Sequence, residues 1–170
     1  MAPRADPRRR SALDLSVLVA FAAAFGFVEA AVVYDLRTLI GSPNAYRFGH
    51  YHTLLNLGFI TFVSSLHSLL PPAVGRVEVV RESATMVMLL AVAWLAGRTA
   101  RQRVGAYFVA FAVWDLTYYL YLRLIDGWPT SLFTRDVFFL VPVPWIGPVI
   151  TPLLIFLVVL VIGVRLYRSP

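Results

Sequence analysis

The sequence predicts an all-α fold, a polytopic bundle of about four transmembrane helices, and three observations carry the prediction. Of the 170 residues, 59% are hydrophobic and the mean hydropathy is +0.76, against a composition of roughly half apolar in soluble domains. Four apolar runs reach the length of about 20 residues that a helix needs to cross the hydrocarbon core. The charged residues fall in short clusters between or near the ends of those runs. The length fits one integral membrane domain over residues 1–170, with residues 1–12 as a basic cytoplasmic tail.

The first span is expected at 13–34, where Glu29 is the single charge after Asp14. Basic residues and Ala22-Ala23-Ala24 also suit a signal peptide, but the apolar stretch outruns an h-region of about 7–15 residues, so an uncleaved span is expected. Ala22, Gly26 and Ala30 repeat every four residues and form a small-residue stripe on which helices approach closely. That stripe serves packing within the bundle or, alternatively, self-association. Residues 51–70 are long enough to cross but hold His52, Asn56, Ser64, Ser65, His67 and Ser68, so an interfacial or re-entrant helix closed by Pro71-Pro72 is expected there. A fifth crossing is the alternative. The remaining spans are expected at 77–97, 104–122 and 146–164, and Ala106 and Ala110 repeat the small-residue spacing in the third.

Between the third and fourth spans, "VPVPWIGPVITP" carries Pro142, Pro144, Pro148 and Pro152. Proline removes a donor and clashes with the carbonyl four residues back, so carbonyls near Pro144 and Pro148 lose helical partners. Residues 136–145 are read as a segment that dips into the outer leaflet and turns into the last span. An interfacial loop with Trp128 and Trp145 in an aromatic belt is the other reading.

All 15 basic residues are arginine. Cytoplasmic loops are enriched in Lys and Arg. Four crossings put Arg4, Arg8, Arg9, Arg10, Arg98, Arg101, Arg103, Arg165 and Arg168 on one side, which the rule makes cytoplasmic. Both termini then face the cytoplasm of a prokaryotic inner membrane. The same dispersal suits membrane topology better than a nucleic-acid-binding face, so no nucleic-acid partner is expected. No cysteine is present, which removes disulfides, thiolate metal sites and iron–sulfur clusters.

On this topology, charges from different spans collect at the outer end. Glu29 lies in the outer half of the first span; Glu78, Arg81 and Glu82 start the second; Asp115, Tyr118, Tyr119 and Arg123 climb the third; Asp136 follows in the outer loop. A charge within a span costs about 2.5–3.5 kcal/mol on insertion scales and normally finds a partner inside the bundle. The expected pairs are Glu29 with Arg81, and Asp115 with Arg123 or a tyrosine hydroxyl. The cluster either fixes helix register or binds a ligand. No Glu-x-x-His pattern of a di-iron bundle occurs, so no metal site is expected, and His50, His52 and His67 fall in the doubtful segment. No phosphate loop, G-x-S-x-G elbow or H-E-x-x-H is present. No catalytic residue and no cofactor are therefore predicted.

The segments "FVEAAVVYDLR", "VVRESATMVMLLAVAWLAG", "FAVWDLTYYLYLRLIDGWPTSL" and "DVFFLVPVPWIGPVITP" resemble a family of small prokaryotic integral membrane proteins with no assigned activity. The resemblance covers most of the chain outside the N-terminus and residues 38–75. It implies membrane location and carries over no catalytic residue. The expected role is that of an accessory or assembly factor acting through the bilayer and other membrane proteins, or through itself by way of Ala22, Gly26 and Ala30. The alternative is a transporter, or an enzyme on a lipid-soluble substrate, that uses the polar cluster.

Overall fold

The computed structural model describes residues 7–41, 51–64 and 71–169, with side chains described from Leu13 onward. Among these residues, four helices are long and apolar enough to span a membrane: α1 (Pro7–Leu39), α2 (Pro72–Ala96), α3 (Ala100–Ile125) and α4 (Ile150–Arg168). Each expected span is present, with shifted ends. The first begins within the basic tail at Pro7, and Pro72 opens α2 where a missing amide proton costs nothing. Thr99 and Gln102 form a reciprocal capping box that starts α3 immediately after α2.

Helix α3 is the centre of the bundle, packed against α1, α2 and α4. Its buried positions run all around it, whereas α2 buries one narrow stripe: Glu78, Glu82, Thr85, Leu89 and Ala93. The other faces of α2 expose Val77, Val80, Val87, Leu90 and Leu95, which in a bilayer meet lipid. Small residues make the central contacts. Ala22 and Ala30 are fully buried, and a methyl group at Gly26 would stand 2.7 Å from the Trp114 carbonyl oxygen. The Ala22-Gly26-Ala30 stripe is thus occupied by α3 of the same chain. Gly105 of α3 and Gly163 of α4 form a second crossing, each close to the other's carbonyl oxygen.

The all-α expectation fails in the two long connections. Residues 53–56 and 61–63 form a β-hairpin (β1, Thr53–Asn56; β2, Thr61–Val63), not the expected interfacial helix; residues 65–70 lie outside the described residues. A second hairpin follows α3 (β3, Arg135–Phe139; β4, Trp145–Pro148). The hairpins join through β2 and β4, with Thr61 opposite Ile146 and Phe62 opposite Trp145, into one antiparallel sheet of order β1-β2-β4-β3. Residues 146–148, expected in the last span, belong to β4, and α4 starts at Ile150.

The prolines explain why. Pro144 cannot continue a helix, and its carbonyl accepts the Val63 amide at 3.0 Å. The first helical amides of α4 have no partner within the helix. The loop before β3 supplies one for Ile150, which bonds the Leu132 carbonyl at 2.8 Å, and Val149 bonds the Thr134 carbonyl at 2.9 Å. Thr151 Oγ1 donates to the Phe59 carbonyl at 3.1 Å and ties the first hairpin to α4.

Because β2 and β4 are paired, both long connections lie at one end of the bundle. The opposite end carries the tight α2–α3 turn, where Arg98 lies 3.7 Å from Asp14 of α1 and Tyr167 Oη donates to the Ala96 carbonyl.

Candidate functional site

The buried charges lie where the helices meet the sheet. Position 29 falls on the buried stripe of α1 with Ala22, Gly26, Ala30 and Val33, so its carboxylate points into the protein. Arg81 is the cation that meets it. Its Nη1 stands 2.6 Å from both Glu29 oxygens, while its Nε and Nη2 donate to Glu78 Oε2 at 2.9 and 2.8 Å. One guanidinium thus spans a carboxylate from α1 and one from its own helix. The planar fork of arginine suits such double engagement, which a lysine point charge does not reproduce.

Glu82, one residue along, does not face Arg81's pairs. Its oxygens accept the backbone amides of Leu140 at 2.9 and 3.1 Å and of Val141 at 3.2 Å. These amides sit in the turn between β3 and β4, so a charge on a spanning helix holds the tip of the second hairpin. A carboxylate satisfies such a turn well, because charge-assisted bonds are stronger than neutral ones.

A second pair lies deeper. Arg37, at the end of α1, is fully buried and donates from Nη2 to Asp136 Oδ1 at 3.3 Å. Tyr119 Oη donates to Asp136 Oδ2 at 3.1 Å. The Arg37 guanidinium also stacks 3.8 Å from the Trp128 ring centre, and Tyr119 stacks on the same indole. Burial pushes the Asp136 carboxyl above its ordinary range, while Arg37, the Tyr119 hydroxyl and the Val137 amide pull it back. Trp128 is therefore a buried platform for a cation and not part of an interfacial belt.

Asp115 is different. It is 4% exposed, and its Oδ2 accepts no hydrogen bond among the described residues. The charges that bear on it are carboxylates, those of Asp136 and Glu29. The expected Asp115–Arg123 pair is absent. Arg123 Nη1 instead donates to the carbonyls of Gly127 and Pro129, because the chain turns sharply after α3 and brings those acceptors within its reach. The Tyr119 hydroxyl is taken by Asp136, and Tyr118 lies edge-on to Tyr119, 4.8 Å between ring centres.

Of the nine residues singled out in the sequence, the structure gathers Glu29, Glu78 and Arg81 in one group and Tyr119 and Asp136 in another. Glu82 goes to the hairpin turn, Asp115 stays unpaired at Oδ2, Tyr118 packs edge-on against Tyr119, and Arg123 of α3 bonds the loop that follows it. Arg37 was missing from the expectation, although it stands eight residues after Glu29, close to the same face of α1. Among the described residues, no group of three or more His, Asp and Glu side chains is placed to hold a metal ion; His50 and His67 lie outside those residues, and His52 is exposed. Compared with family models, with curated proteins and with solved structures, the chain matches none of them.

Proposed function

We propose that this chain is an integral protein of a prokaryotic cytoplasmic membrane that works through contacts with other membrane components, as an accessory or assembly factor. Its buried charges act as a clasp. The observation that carries this reading is the pairing across elements: α1 to α2 through Glu29 and Arg81, α2 to the second hairpin through Glu82, and α1 and α3 to β3 through Arg37, Tyr119 and Asp136. Arg81 engages all three guanidinium nitrogens on Glu29 and Glu78, and both Glu82 oxygens are taken by the hairpin amides, so these groups have little left for a ligand and fix the sheet against the helices. The distribution of arginines supports an orientation with both termini and the α2–α3 turn in the cytoplasm and the sheet outside. The small-residue stripe of α1 is used inside the chain, so contacts with partners fall to the sheet and the lipid-facing helix surfaces.

A ligand-handling role, transport or catalysis on a lipid-soluble substrate with Glu29, Arg81, Glu82 and Asp115 as working residues, is the second reading. The unpartnered Oδ2 of Asp115 favours it, since a buried acceptor in lipid surroundings calls for a donor or a positive charge.

Glu29→Gln separates the two. The clasp reading expects a reduced folded yield in detergent, from a loss of about 1.5–3 kcal/mol for a hydrogen bond to a charged group, with no molecule whose retention depends on Glu29 co-purifying with the wild type. A variant of normal stability that loses a molecule retained by the wild type would establish the second reading.

A further inference from the structure

Between α3, α4 and the loop preceding β3 lies a groove of about 460 Å³. One wall is apolar: Leu116 and Leu120 of α3 face Leu153 of α4. The other end is polar, with Arg123, Thr130 and Ser131 at the rim. Among the described residues that line the groove, Arg123 is the only charged one and none is acidic. The two ends thus ask for different chemistry, which a single amphipathic ligand satisfies.

The rim is preset. Arg123 Nη1 is fixed by the carbonyls of Gly127 and Pro129, and the remaining guanidinium nitrogens have no partner among the described residues. The Ser131 hydroxyl oxygen accepts the Phe133 amide, which leaves its proton to donate, and the Thr130 hydroxyl lies against Thr134. A guanidinium and two hydroxyls around one opening form a donor set suited to a phosphate ester. Away from Arg123 the apolar wall runs back along α3 from Leu120 to Leu116 and along α4 from Leu153 to the exposed Leu157, the surface that faces lipid in a bilayer. The groove also sits at the end of two spanning helices, the depth of the phospholipid headgroups.

We propose that this groove is a binding site for an anionic phospholipid, with the phosphate on Arg123, Ser131 and Thr130 and an acyl chain along Leu116, Leu120 and Leu153. A free phosphate would leave the apolar wall uncovered. A zwitterionic headgroup would bring an ammonium into a site with no carboxylate among its described lining residues. The proposal holds for either orientation of the chain and does not depend on the clasp.

The test uses full-length protein stripped of lipid in mild detergent. Thermal unfolding is followed on adding phosphatidylglycerol, phosphatidylcholine with the same chains, or inorganic phosphate, and native mass spectrometry counts the lipid retained. Phosphatidylglycerol is expected to raise the unfolding midpoint and to stay bound, the other two much less. Arg123→Gln is expected to weaken phosphatidylglycerol binding about tenfold, the loss of one hydrogen bond to a charged group. Should Arg123→Gln fail to fold because it frees the Gly127 and Pro129 carbonyls, Thr130→Val with Ser131→Ala leaves those bonds intact and is expected to weaken binding in the same direction. Equal shifts with both lipids would overturn the proposal. So would the whole shift with inorganic phosphate alone, or unchanged phosphatidylglycerol binding in the variants.

Discussion

Arg81→Met is expected to cost the folded protein about 3–5 kcal/mol, the typical loss when one partner of a buried ion pair is removed. The variant strands two carboxylates at once, because Glu29 and Glu78 share the one guanidinium. Both are largely buried, at 9% and 7% exposure, so solvent does little to offset the loss. Unfolding in mixed detergent micelles measures the effect, with folded yield on size exclusion as a second readout. A companion variant isolates the cause. Glu29→Gln, Glu78→Gln and Arg81→Met combined remove the charges together and are expected to recover most of the lost stability, because neutral replacements of a buried ionic group are often tolerated. If the combined variant is as unstable as the single one, the loss comes from packing around Arg81 and not from stranded charge.

The second large effect is steric. Gly105→Leu is expected to destabilise by about 1–3 kcal/mol or more, the range for overpacking a filled core. A Cβ at position 105 would stand 2.5 Å from the Tyr167 amide nitrogen and 2.8 Å from the Gly163 carbonyl oxygen. Those atoms are backbone, so no side chain can turn aside and α4 has to move off α3 as a unit. In a bilayer, where lipid tails are as apolar as the helices, such close contact supplies much of the association energy. Thermal unfolding in detergent reads the loss. Gly163→Ala, on the facing helix, is expected to fall in the same direction, since its methyl would meet Phe108 Cβ and the Val109 amide nitrogen at 2.9 Å.

What the sequence discloses about this protein depends on how local the cause is. The spans are local: twenty apolar residues need a membrane, and α1 to α4 appear close to where the runs lie. The Glu29–Arg81 contact was also legible, since alternating spans bring the outer part of the first helix beside the start of the second. The sheet was not. Its strands are three to five residues long, and the pairing that unites it joins Thr61 to Ile146 across half the length of the chain. The serines, histidines and prolines that argue against a span do not say which backbone will pair with which. Arg37 was missed because it follows the apolar run and reads as a loop charge, whereas α1 continues through it to Leu39 and buries it beneath Trp128. Arg123 was misassigned for the opposite reason. Helical spacing sets it two turns above Asp115, and the turn at Gly127 gives it nearer acceptors.

We propose that the charged cluster and the sheet sit together at the outer face of a four-span bundle. Because the chain has no cysteine, single cysteines report position without background. Thr53→Cys marks the exposed hairpin of the sheet and Arg101→Cys the exposed start of α3 at the opposite end. With a membrane-impermeant thiol reagent on intact cells, labelling is expected at position 53 and protection at 101 until the membrane is opened. Labelling at 101 with protection at 53 would invert the orientation, and equal labelling at both positions would contradict the four-span arrangement itself.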